Sequence, residues 1–342
     1  MRPDDLLRPT PEGLYCPPAG VFIDPLRPVA RALVTHGHSD HARAGPGAVL
    51  ATRETLAIMA LRYGADFARE TQVAGPAETI RLGEVDVSFH PAGHVRGSAQ
   101  IRLAWRGFVA VVSGDYKRAA DPTCAPFEPQ RCDLFVTEAT FGLPVFRWAP
   151  ARLEAEKLIA STRLFPERAH LVGAYPLGKA QRLMAELRAA GWDRPIHIHG
   201  AMQRLTDWFV SDGVDLGEIV PAASVNRAAL GGAIVICPPS AMQDLWARRF
   251  PEPIACFASG WMRVRARARQ RGVELPLVVS DHADWDDLCA TALETGCSHL
   301  WVTHGEEDAL VHWAATRGLD ARPLRLVGYG DEETQEPDEA AP

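Results

Sequence analysis

The segment His36-Gly37-His38-Ser39-Asp40-His41 follows directly on an apolar run, Ala32–Thr35. Short β-branched runs of this kind read as buried strands. Three imidazoles and a carboxylate at the end of a buried strand are costly to hold without a counter-charge. Imidazole nitrogen with carboxylate oxygen is also the donor set that suits zinc and related divalent metals. The motif therefore demands a fold that brings a strand end to a metal. On an extended segment His36 and His38 project to one side, and Asp40 and His41 are expected at a turn leading into a helix.

Three further candidate ligands stand after strand-like runs. His94 follows Val85–His90, between Gly93 and Gly97, which permit a tight loop. Asp115 follows Phe108–Val112, where its carboxylate is placed to bridge two metals. His304 follows Leu300–Thr303. Each is an ordinary loop residue when taken singly; their common placement at strand ends gives them weight.

Other strands are predicted at Ile101–Leu103, Leu134–Thr137, Pro195–His199, Ala233–Cys237 and Leu277–Ser280. Helices are predicted over Arg53–Leu61, Ala151–Arg163 and Gly178–Ala190, and one after Asp284 in an N-cap position. No repeat of fixed period occurs. The pattern is mixed α/β, and its candidate chemistry lies at both ends of the chain, which predicts a core interrupted by an insertion.

The set resembles the metallo-β-lactamase superfamily and, within it, the β-CASP nucleases. Asp24 in Phe22-Ile23-Asp24-Pro25 resembles the first acidic motif. His36, His38, Asp40 and His41 match the second motif, His94 the third and Asp115 the fourth. Glu138 in Thr137-Glu138-Ala139-Thr140-Phe141-Gly142 resembles the acidic motif opening the β-CASP region. His282 in Ser280-Asp281-His282-Ala283-Asp284 resembles the family's late histidine, and His304 in His304-Gly305-Glu306 its last motif. Gly178-Lys179-Ala180-Gln181 is similar to a helix start in the insert. The compact chain, with Ala258-Ser259-Gly260-Trp261-Met262, looks most like the bacterial DNA ligase-associated DNA exonucleases.

The resemblance implies an αββα sandwich over 1–149 and 258–330, with a small α/β cap over 150–257. It implies a metal-dependent DNA exonuclease of DNA repair, associated in function with an ATP-dependent DNA ligase and a helicase. Two divalent metals are implied, zinc first and manganese as the alternative. His36, His38 and His94 would hold one, Asp40, His41 and His304 the other, with Asp115 between them and Asp24 behind the ligand loop. His282, oriented by Glu138, would contact the phosphate or protonate the leaving oxygen. DNA-directed members often lack the last histidine and RNA-directed members usually have it, so a β-CASP ribonuclease is the alternative. A small-molecule metallohydrolase and a non-catalytic scaffold rank lower, because Glu138, His282 and the insert argue against the first and the complete ligand set against the second.

Substrate contacts are expected from basic groups. Arginine occupies positions 263, 265, 267, 269 and 271. On an extended segment Arg263, Arg265 and Arg267 would share one side as a phosphate-binding stripe. Lys179 at a helix start and Lys117 beside Asp115 are further candidates. His197-Ile198-His199 lacks a following Asp-His and is expected to be ordinary strand. His90 is expected at a strand end, and Trp148, Trp261 and Trp285 in packing.

The net charge of −7 argues against nucleic acid only until its placement is considered. Six acids lie in 331–342, expected to be a disordered tail, and without them the chain stands at −1. The seven scattered cysteines, without a C-x-x-C pair, predict free thiols. No apolar run approaches the roughly 18 residues of a membrane span, and Met1–Thr10 has no apolar signal core. A cytoplasmic protein with no membrane partner is expected.

Overall fold

The computed structural model describes residues 2–226, 230–250, 252–324 and 326. The chain divides into two compact units. The first takes Met1–Arg147 and the described residues from His282 onward; the second takes the described residues within Trp148–Asp281. The acidic tail lies outside the described residues.

The first unit has two sheets. One has six strands in sequence order, from Arg8–Thr10 to Glu70–Val73. Its first three are antiparallel, and the strands from Val21–Ile23 onward are parallel. The other has seven strands. Its centre is Phe108–Val112, which runs parallel to Leu134–Ala139, which in turn is parallel to His299–Gly305. On its other side come Ala99–Trp105 and then Val85–Pro91, each antiparallel to its neighbour. Two reversals make Val85–Pro91 run in the direction of Phe108–Val112. With Asp320–Pro323, which is parallel to His299–Gly305, five strands of this sheet therefore point their C-terminal ends the same way.

Burial stacks these elements in layers. Between the sheets, Leu14, Ile23, Leu33 and Leu50 pack with Val87, Ile101, Leu103, Val112 and Val136. Outside the first sheet, Leu56 and Met59 of helix Arg53–Tyr63 cover Ala32, Val49 and Ala51. Outside the second, Leu288 and Ala292 of helix Trp285–Glu294 and Leu310 and Ala314 of helix Glu307–Thr316 cover Val111, Phe135 and Val302. The inner strands, such as Ala48–Ala51, Phe108–Val112 and Leu134–Ala139, are largely buried and so read as short continuous apolar runs. The helix starts are fixed locally. The Thr52 side chain accepts from Thr55 N–H, and Asp284 from Asp287 N–H, the N-cap its sequence predicted.

The second unit is one parallel six-stranded sheet, ordered Ile219–Pro221, Ile196–Ile198, Ile234–Cys237, His170–Gly173, Ile254–Ala258 and Leu275–Leu277. Helices Ala151–Leu164, Lys179–Ala189 and Gly200–Ser211 belong to it. The unit extends past Phe257, where the insertion was expected to end, because Leu275–Leu277 pairs with Ile254–Ala258 as its edge strand. That strand stops at Leu277 and leaves Ser280 in a loop.

The arginine run also differs from expectation. Arg265–Gln270 is a helix, so alternate residues do not share a face. The five arginines are exposed, but Arg267 lies over the Trp261 ring at 3.7 Å and Arg271 over Phe257 at 5.1 Å. Among the described residues, no helix is long and apolar enough to cross a membrane.

Candidate metal centre

The predicted ligands converge at the aligned strand ends of the first unit. His36, His38, His94 and Asp115 are all buried, and one donor atom from each lies within 4.8 Å of all the others. His36 Nε2 is 3.2 Å from His38 Nδ1, and His94 Nε2 is 2.9 Å from the same atom. Asp115 Oδ2 completes the group at 3.5 Å from His36 Nε2 and 3.7 Å from His94 Nε2. Donors bound at 2.0–2.1 Å to a tetrahedral ion are about 3.4 Å apart. The observed edges scatter around that value. The three rings meet edge to face, at 77° to 86°.

A second group joins His41, Asp115 and His304 on the same criterion. His41 Nε2 is 3.5 Å from Asp115 Oδ1, and Asp40 Oδ2 flanks it at 3.7 Å. Asp115 thus presents Oδ2 to one group and Oδ1 to the other. The residues present fit two divalent cations sharing one carboxylate.

Local structure explains how each side chain arrives. Residues 39–41 form a turn and not the start of a helix; the next helix begins at Arg53. Asp24, in a left-handed conformation with φ 44°, accepts from Thr35 N–H at 2.8 Å and from Thr35 Oγ1 at 2.6 Å. Its Oδ2 is also 2.8 Å from His41 Nδ1. A carboxylate on the far nitrogen fixes the ring so that Nε2 faces the metal position. Gly114 has φ +56°, and a Cβ there would lie 2.7 Å from the Thr35 side chain. The Asp115 loop can approach the histidine loop because that position is glycine.

His304 is delivered by a bulge. Glu138 pairs with Thr303, while Ala139 pairs with Gly305, so His304 is the extra residue between them. It is left-handed at φ 59°. Gly305 is left-handed too, and a Cβ on it would collide with the Ala139 carbonyl. Bulges re-aim side chains in this way. His304 keeps some exposed surface, but both its ring nitrogens are buried.

The electrostatics divide the histidines. Burial, aided by the charge of His41, holds His36 well below the usual imidazole range. Burial, with His41 again contributing, lowers His304 to about 3. Burial opposes the charged form of His41 as well, but Asp115, Asp40 and Asp24 outweigh it and raise that pKa. Asp115 is held low by His41 and His36 against its own burial.

A third cluster adjoins the ligands. Asp115, Glu138 and His282 each place a donor atom within 4.8 Å of the others. Glu138 Oε2 is 2.8 Å from His282 Nδ1, and Glu138 Oε1 accepts from Tyr116 N–H at 2.7 Å. The His282 ring lies 4.7 Å from that of His94.

Not every expected residue reaches the surface for substrate. Lys117 is only 4% exposed, and its Nζ lies 3.4 Å from the His282 carbonyl. Lys179 is 1% exposed, 3.6 Å from Asp281 and over the Tyr175 ring. A buried lysine needs a compensating acceptor, and in both cases a neighbouring backbone or carboxylate supplies it. Sequence reasoning passed over Arg182, which donates to the Ser280 carbonyl at 2.8 Å and lies 3.6 Å from Asp281. It also passed over Thr35, which donates to Asp24 through both its N–H and its hydroxyl, and Tyr116, whose N–H donates to Glu138. His197 lies in a strand, while His199 caps the helix Gly200–Ser211 by accepting from Ala201 N–H. His90 contacts Ser88 at 2.9 Å.

Known proteins resemble this chain over up to 90% of its length. A protein named probable DNA ligase, from Opitutus terrae, is 28% identical over 316 residues, which is 90% of this chain. The chain spans 30% of that relative's length. Endoribonuclease ysh1 of Aspergillus fumigatus is 29% identical over 140 residues, 39% of this chain and 15% of that protein. Ribonuclease TTHA0252 of Thermus thermophilus is 32% identical over 139 residues, 33% of this chain and 32% of that one. A crystal structure of a protein of unknown function from Enterococcus faecalis shares the fold, with a TM-score of 0.52 at 15% identity, over 80% of this chain and 74% of that one. No family model matches the chain.

Proposed function

We propose that the chain is a metal-dependent nuclease of the metallo-β-lactamase kind, with the second unit as its β-CASP cap. The reading rests above all on Asp115, one carboxylate shared by two buried ligand groups and adjoining the Glu138–His282 pair. Hydrolysis of a phosphodiester needs positive charge on both the attacking and the leaving oxygen. Two divalent cations held by His36, His38, His94 and Asp115, and by Asp40, His41, His304 and Asp115, would supply that charge and acidify a water.

The chain's own groups do the rest. Glu138 fixes the His282 ring through Nδ1. From there His282 contacts the scissile phosphate or gives a proton to the leaving oxygen. The exposed Arg263, Arg265 and Arg267 bind the phosphate backbone without reading sequence.

DNA is the proposed substrate and exonucleolytic cleavage in repair the proposed mode. Support comes from the likeness to a protein named as a DNA ligase, which extends over 90% of this chain. The likeness to proteins named as ribonucleases covers 33% to 39%. Functional association with a ligase and a helicase belongs to the same proposal. The presence of His304 favours RNA as the second reading.

End-labelled single-stranded DNA and RNA, incubated side by side with metal-loaded protein, test both readings. Release of mononucleotides from DNA is expected. Cleavage of RNA alone would establish the second reading, and no cleavage of either would remove the nuclease assignment.

A further inference from the structure

We propose that Lys117 is a positioning residue that holds His282 against the metal-ligand loops. The inference rests on the role given to His282 above.

The segment Asp115-Tyr116-Lys117 touches three parts of the site in sequence. Asp115 is the shared ligand. Tyr116 N–H donates to Glu138 Oε1 at 2.7 Å, and Tyr116 carbonyl accepts from Ala283 N–H at 2.6 Å. Lys117 N–H donates to the Ala92 carbonyl at 3.0 Å, two residues before His94. Its ammonium lies 3.4 Å from the His282 carbonyl. The His282 main chain is therefore gripped on both sides by the residues after Asp115, while its ring is held by Glu138.

The lysine is built for that place. At 4% exposure it has little surface to offer a phosphate, and a buried ammonium without acceptors would cost several kcal/mol. The His282 carbonyl is one acceptor. Asp287 is a nearby acid: burial and Asp284 hold its carboxyl above the usual range, and the charge of Lys117 acts against that rise. The close approach of the loops is permitted by Gly93, where a Cβ would strike the Lys117 carbonyl. One residue thus ties the Asp115 loop to the approach to His94 through its N–H, and to the residue proposed to act on the substrate through its ammonium.

Lys117→Met removes the ammonium and keeps the stem. The expected result is a fall in kcat on the order of ten- to a hundred-fold, from one lost charged hydrogen bond. KM and bound metal should stay unchanged. Lys117→Gln, which keeps a donor, and Lys117→Arg should recover part of the loss, and they also guard against a methionine variant that fails to fold. A second readout does not need cleavage: in histidine-labelled protein, the ring resonances of His282, assigned with His282→Ala, should shift in the Lys117 variants while those of His299 stay in place. Unchanged kcat with unchanged His282 resonances would overturn the proposal. So would loss of metal in parallel with activity, which would make Lys117 part of the ligand scaffold. If the wild-type protein cleaves no nucleic acid, the nuclease reading fails, and the resonance experiment still decides the role of Lys117.

Discussion

Glu138 Oε2 and His282 Nδ1 lie 2.8 Å apart, although the residues are 144 positions apart in sequence. Both are buried. A carboxylate on Nδ1 fixes which nitrogen carries the proton and where the other one points.

Glu138→Gln should break that control. The expected outcome is a fall in kcat on the order of a hundred-fold or more, with bound metal retained. The double variant Glu138→Gln/His282→Ala should be no slower than His282→Ala, because two residues acting as one unit are not additive. Steady-state kinetics on a labelled oligonucleotide, with metal analysis of each variant, checks both points.

Asp115→Asn and His304→Ala should separate by stoichiometry. Asp115 serves both ligand groups, whereas His304 serves one. Loss of Asp115 is expected to empty both positions, and loss of His304 to leave one ion bound. Asp40→Ala should behave like His304→Ala, since Asp40 flanks His41. Both the His304 and the Asp40 variants should abolish cleavage without unfolding. Elemental analysis after dialysis reads the metal count, and full activity of Asp40→Ala would sink the two-metal scheme.

Asp24→Asn should weaken metal binding without removing a ligand. Carboxylates behind a ligand histidine are worth about 10- to 100-fold in affinity. Asp24 also braces Thr35 through two hydrogen bonds, so Thr35→Val should shift affinity the same way by less. Competition against a chelator of known affinity measures both.

The buried thiols should resist modification. Burial pushes Cys16 up to about 11, and Cys132, Cys237 and Cys289 each to about 12. Cys256 and Cys297 are raised as well. The thiolate is the reactive form, and at pH 8 a thiol of pKa 11 is ionised to about one part in a thousand. Cys124 and Cys289 are both half-buried, and with Cys289 raised, Cys124 is the one expected to react promptly with a disulfide reagent. Fast reaction of three or more cysteines in the folded protein would contradict the burial described.

The candidate ligand cluster was legible in the sequence because metal chemistry restricts residue type. His36, His38, His41, His94, Asp115 and His304 stood out as histidine or aspartate at the ends of apolar runs, and parallel strand direction brought those ends together. Lys117 stood out only as a basic residue beside Asp115, and Arg182 did not stand out at all. Each acts through a carbonyl oxygen, which every residue carries, so nothing in the residue types marks the partner. The run Arg265–Gln270 was misread for a different reason. Its alternation looks like a strand, but Arg, Ala and Gln are all strong helix formers, and no paired edge holds the segment extended. The end of the second unit was hidden because a three-residue edge strand carries too little pattern to see.

The bulge at His304 makes the centre adjustable by count as well as by chemistry. A substitution at His304 changes a donor. A deletion there would bring Gly305 into the paired position beside Glu138 and return the strand to regular register, with no ring aimed at His41. The sandwich beneath would keep its packing, since the apolar residues Leu300 and Val302 lie upstream of the change. On the proposed reading, one inserted residue in one strand would therefore separate a two-ion centre from a one-ion centre on the same scaffold.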